Sequence, residues 1–124
     1  MRIVDFHTHA FPDKLAERAI PLLAEAAHCT ACLDGKLASL LRSMDQAGIA
    51  QSVVLSIATK PEQFDPILRW SEGIASDRIV PFASIHPNDP DPVAKADRIR
   101  AANQPASNSF WMTGRTALKE FPEV

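Results

Sequence analysis

At 124 residues and 46% hydrophobic content, the chain has material for one modest core and one domain. Its net charge of -2, with acids and bases intermixed, gives no basic footprint for nucleic acid and no polybasic segment for a membrane surface. Met1-Arg2 leads straight into a short apolar strand, without a signal-type apolar region or a membrane span, so the expected location is cytoplasmic.

The opening stretch, Ile3-Val4-Asp5-Phe6-His7-Thr8-His9, reads as a strand running into two histidines. Alternation along a strand places Asp5, His7 and His9 on one side, and Val4 and Phe6 on the other. Two imidazoles are then aimed at one point. A neutral ring nitrogen can donate its lone pair while the other nitrogen is held by a neighbour, so a divalent metal is the natural occupant of that point. The plainer alternative is a pair of solvated histidines at a strand end. Asp5 lies deeper in the strand, where it can orient an imidazole or meet a backbone group.

After the break at Ala10-Phe11-Pro12, residues Asp13 to Ala27 carry a helical stripe of Leu15, Ala19, Ile20, Leu23, Ala26 and Ala27. Pro21 removes an internal hydrogen bond and is expected to kink or split that helix. Cys29 and Cys32 form a C-x-x-C after His28, but the chain has no further cysteine pair for a structural zinc site. Leu33 stands where haem attachment would need a histidine, and a redox dithiol is the alternative but lacks its strand-then-helix setting, so two reduced cysteines in an inter-helix loop are expected.

Asp34 can cap a helix with the stripe Leu37, Leu40, Leu41, Met44 and Ala47, closed by Gly48 as a left-handed terminator. Gln51 to Ala58 follows as a strand, and Val53, Val54, Leu55 and Ile57 make the near-continuous apolar run of a parallel strand covered on both faces. Asp65-Pro66 has the form of an N-cap followed by proline, opening a helix to about Ser76 with Ile67, Leu68, Ile74 and Ala75 inward. Ile79 to Ile85 is the third strand, and Asp91-Pro92 repeats the cap signal before a helix through Ala102. His86 stands just past the third strand and is a candidate to contact substrate or to support such a contact. It is not expected to ligate a metal.

Asp5-Phe6-His7-Thr8-His9, with Met44-Asp45-Gln46-Ala47-Gly48-Ile49 before the second strand and Pro81-Phe82-Ala83-Ser84-Ile85-His86-Pro87 at the third, resembles the amidohydrolase superfamily, in particular its amidohydrolase-related group. The resemblance covers about residues 1–102. It implies an α/β fold, the N-terminal portion of a TIM (β/α)8 barrel, with about three parallel βα units and the barrel incomplete. It also implies that His7 and His9 ligate a divalent metal, with Zn2+ the expected ion, and that a small-molecule amide, ester or lactone is the substrate. A metal of this kind polarises the substrate and makes water a nucleophile near neutral pH.

A complete barrel takes about 250 residues, and the later ligands and proton-shuttling Asp of such enzymes come from strands that this sequence does not offer. From Asn103 the apolar periodicity stops, so residues 103–124 read as a divergent or disordered tail. The expected protein is therefore a truncated relative whose open sheet invites self-association. A related decarboxylase and a non-catalytic remnant or interaction module are the competing readings.

Overall fold

The computed structural model describes residues 1–102, so the tail expected over 103–124 lies outside the described residues. Three parallel strands form an open sheet in the order β1-β2-β3, with β1 at Ile3–Thr8, β2 at Ile49–Leu55 and β3 at Ile79–Phe82. Helices α1 (Asp13–Ala26), α2 (Leu37–Ala47), α3 (Phe64–Ile74) and α4 (Pro92–Ala101) alternate with them. Two helices lie between β1 and β2, one between β2 and β3. The repeated strand-helix order is as the sequence pattern implies, and because parallel neighbours share a direction, all three strands end on the same rim.

The central strand carries the burial. Residues Ser52 through Ser56 are all buried, which is why this run lacks polar alternation. One core cluster joins Val54 and Ile79 to Leu40 and Met44 of α2, to Ile74 of α3 and to Ala10. A second joins Phe64 and Leu68 of α3 to Ala83, Ile85 and Ile99, so α4 is tied to the sheet through a single fully buried aliphatic side chain. Burying each such side chain stabilises the fold by about 1.5–3 kcal/mol.

Several local expectations shift. Helix α1 is not split: Pro21 sits inside it and α1 continues to Ala26. The proline forfeits only the bond its N–H would have given to the Glu17 carbonyl, while Ala16 and Ala19 anchor the helix by close burial. Leu15 and Ala27 are exposed, so the buried face is narrower than the apolar stripe suggested.

Asp34 does not occupy the cap of α2. Lys36 does, and the Asp34 carboxylate accepts from the Lys36 N–H at 3.0 Å, two residues along, which holds that carboxyl below the usual range. Gly48 closes α2 at φ 68°, in the left-handed region that favours glycine. Before α3 a short 3-10 turn, Pro61–Gln63, precedes Asp65-Pro66, which fall inside the first helical turn. Gln63 does the tying here: its Oε1 accepts from the Thr59 N–H at 2.7 Å and the Lys60 N–H at 3.1 Å. At α4 the expectation stands, with the Asp91 carboxylate accepting from the Ala94 N–H at 3.1 Å and Pro92 at the first position.

Candidate metal centre

The end of β1 is stitched to β2 by two side chains that reach backbone carbonyls. Thr8 Oγ1 donates to the Val53 carbonyl at 2.8 Å, and His9 Nδ1 lies 2.9 Å from the Leu55 carbonyl. A carbonyl oxygen only accepts, so Nδ1 of His9 carries the proton and its Nε2 presents a lone pair. The tautomer of His9 is thereby set by the neighbouring strand.

His7 Nε2 lies 3.2 Å from His9 Nε2, with the rings nearly perpendicular at 76° and their centroids 5.1 Å apart. With His9 Nε2 as the acceptor, His7 Nε2–H is the donor of this contact. Two ring nitrogens bound to one tetrahedral zinc at about 2.0–2.1 Å are about 3.3 Å apart, so the observed spacing equals that of a chelating pair within a tenth of an ångström or so. The pair also has the outer partner that metal-binding imidazoles use, a carbonyl on the far ring nitrogen. Partial desolvation of the ring against β2 pushes the His9 imidazole below the ordinary histidine pKa although the residue as a whole is exposed; the Leu55 carbonyl opposes the shift and the neighbouring His7 ring adds to it. A neutral His9 is the form that can ligate.

The pairing of β1 with β2 is irregular beyond Asp5. Asp5 pairs with Ser52 and Thr8 with Val54, so three steps along β1 match two along β2 and the facing pattern slips between them. The Asp5 carboxylate accepts from the His7 N–H at 3.1 Å, a bond to the second residue along that fits this irregularity. Asp5 thus meets a backbone group and orients the His7 main chain.

His86 is half-buried and engaged in its own turn. Its Nδ1 accepts from the Asn88 N–H at 3.1 Å and its carbonyl accepts from the Asp89 N–H at 3.0 Å. Among the described residues no three His, Cys, Asp or Glu side chains converge on a point that could hold a metal, so His86 does not join His7 and His9 as a ligand. Cys29 and Cys32 are free and exposed in the loop after α1, beside His28, whose φ is 49°. They also form no such group with that histidine.

Two contributors escape a reading of side-chain patterns. The Leu55 carbonyl orients His9 without leaving any mark on residue type, and Thr8 is only a generic strand residue until its hydroxyl is seen on the Val53 carbonyl. Beyond the strand ends, α1 and α3 border a partly open apolar pocket of about 270 Å³, to which the segment after β1 contributes Phe11, Leu15, Ala19 and Leu23. No helix among the described residues is long and apolar enough to cross a membrane. No family model, no curated protein and no solved structure matches this chain.

Proposed function

We propose that this chain is the N-terminal portion of a metal-dependent hydrolase of the amidohydrolase-related type, with His7 and His9 as ligands to a divalent ion, Zn2+ first among them. The observation that carries the reading is the 3.2 Å approach of the two Nε2 atoms with the His9 Nδ1–H held on the Leu55 carbonyl. The three-stranded parallel sheet supports it as a fragment of a (β/α)8 barrel, because the imidazoles lie where β1 ends, on the rim where such barrels gather their catalytic groups. The substrate in this reading is a small-molecule amide, ester or lactone, and the location is cytoplasmic.

The residues divide the work simply. Leu55 fixes the His9 ring by its carbonyl, Asp5 fixes the His7 backbone, and Thr8 locks the strand end against β2. Zinc, when bound, supplies Lewis acidity toward the substrate carbonyl. His86, with Nδ1 accepting from Asn88, keeps its proton on Nε2 and in that form offers a hydrogen-bond donor to substrate.

One observation favours a second reading, a metal-binding remnant without turnover. Catalytic zinc usually takes three protein ligands and an open position, and only two imidazoles meet among the described residues. A decarboxylase would use the same pair on a different substrate, so the ligands alone do not choose the reaction.

Zinc titration followed calorimetrically, alongside turnover of simple esters and lactones, decides among these. Stoichiometric zinc with turnover is the expected result for the hydrolase, and zinc without turnover for the remnant. Metal content unchanged in the doubly substituted His7→Ala, His9→Ala chain would remove the site altogether.

A further inference from the structure

Protein-bound zinc takes four donors in a tetrahedron, and His7 and His9 supply two of them. The rest of the chain does not complete the set. His86 has its Nδ1 taken by the Asn88 N–H, and among the described residues no third His, Cys, Asp or Glu side chain meets the pair. Asp5, the nearest carboxylate in sequence, accepts from the His7 N–H. Residues 103–124 contain neither histidine nor cysteine.

Nor do the chain's own helices roof the pair, for both histidines are exposed. Two vacant zinc positions are best filled by a second pair of donors with the same spacing, and another copy of this chain carries one. In that copy, too, the Leu55 carbonyl holds the His9 proton on Nδ1, so the Nε2 lone pair binds without a change of tautomer. A pair delivered on one chain forms two bonds for one association, where separate ligands would need two. Because the same surface serves on each copy, the contact closes as a twofold pair and does not grow into a filament. The net charge of -2 opposes the approach only weakly.

We infer that at limiting zinc two copies of this chain share one ion, each contributing His7 and His9 to a site of four imidazoles. The inference rests on the reading of His7 and His9 as ligands and adds the partner that completes them. In the shared form no position is open, so the ion is structural. Excess zinc gives each copy its own ion and frees positions for water or substrate; the hydrolytic reading applies to that second form alone.

Zinc is added in steps to the full, chelator-stripped chain while sedimentation velocity follows mass and calorimetry follows uptake. Mass is expected to double as zinc reaches half an equivalent per chain, with a break in the heat at that ratio, and to fall back as zinc passes one equivalent. His7→Ala, which removes one exposed ring, is expected to abolish the doubling. A Cys29→Ser, Cys32→Ser chain controls for zinc held by the exposed thiols and should pair as the wild type does. A chain that stays single while taking up one zinc through His7 and His9 overturns the inference and leaves the ligand reading intact. Absent uptake, or uptake that a His7→Ala, His9→Ala chain retains in full, overturns both. Pairing that is already complete in chelator, that persists in His7→Ala, or that is lost with the cysteines also overturns the inference.

Discussion

The first strand brings two histidines and the third strand one to the same rim, yet the two ends are built differently. At the end of β1, His9 leans on a carbonyl of the neighbouring strand and leaves its Nε2 facing His7. At the end of β3, His86 lies four residues beyond Phe82, inside a turn whose own N–H groups occupy its Nδ1 and its carbonyl. Beside it, Asp89 is buried, bonded to Lys95, and accepts from the Asp91 N–H at 2.9 Å. One end is arranged around what the imidazoles present outward, the other around keeping a proline-rich connection in shape. Position after a strand is thus a weak guide to function until the partners of both ring nitrogens are known.

The sharpest way to break this contrast is by zinc affinity. His9→Ala should lower it by more than the roughly 10–100-fold that loss of an outer-sphere partner alone causes, whereas His86→Ala should leave it within about twofold in the same calorimetric titration. If the two substitutions act alike, the distinction between the two strand ends is wrong.

Next in size is the support beneath the end of β1. Gly35 has φ 74°, its carbonyl accepts from the Phe11 N–H at 2.9 Å, and a Cβ there would meet Ile20 side-chain carbons at 2.5 Å. Gly35→Ala should therefore destabilise the chain by about 1–3 kcal/mol in urea unfolding, through both strain and the clash.

The connection after β3 should reveal itself through acid. The Lys95 ammonium donates to Asp89 and holds its carboxyl below the ordinary carboxylate range. The unfolded chain then binds more protons than the folded one in that range, so this contribution is full above the unfolded pKa and is lost as pH falls through the folded value. Melting temperature against pH should accordingly drop on the acid side. Asp89→Asn should be less stable at neutral pH and show a shallower acid limb.

The smallest effect belongs to Thr8→Val, which removes the hydroxyl donated to the Val53 carbonyl. A loss of about 0.5–1.5 kcal/mol is expected in the same urea measurement, with a larger proportional loss in zinc affinity if the strand end positions the imidazoles.

Much of this scaffold could be read from residue order. The unbroken run around Val53, Val54 and Leu55 marked a covered parallel strand, Gly48 marked a left-handed terminator, and Asp91-Pro92 marked the start of α4. The local errors have a common origin in competition between groups. Asp34 and Asp65 have capping chemistry, but Lys36 takes the cap at α2 and the 3-10 turn before α3 places Asp65 inside the helix. Pro21 lies inside α1, which continues to Ala26 despite the N–H bond it forfeits. At the candidate site, the imidazole pair was visible in spacing and its anchor was not. The irregular register of β1 against β2 was likewise not legible, since it depends on both strands.

The bond from His9 to Leu55 ends on main-chain oxygen, and every amino acid has one. Exchange of the leucine for any residue the strand accepts leaves that oxygen in place, so random drift at this position cannot unseat the ring. Only slippage of the two strands past one another could do so, and that would also disturb the sheet. The feature most needed to keep a lone pair outward is therefore shielded from point mutation by the architecture that carries it.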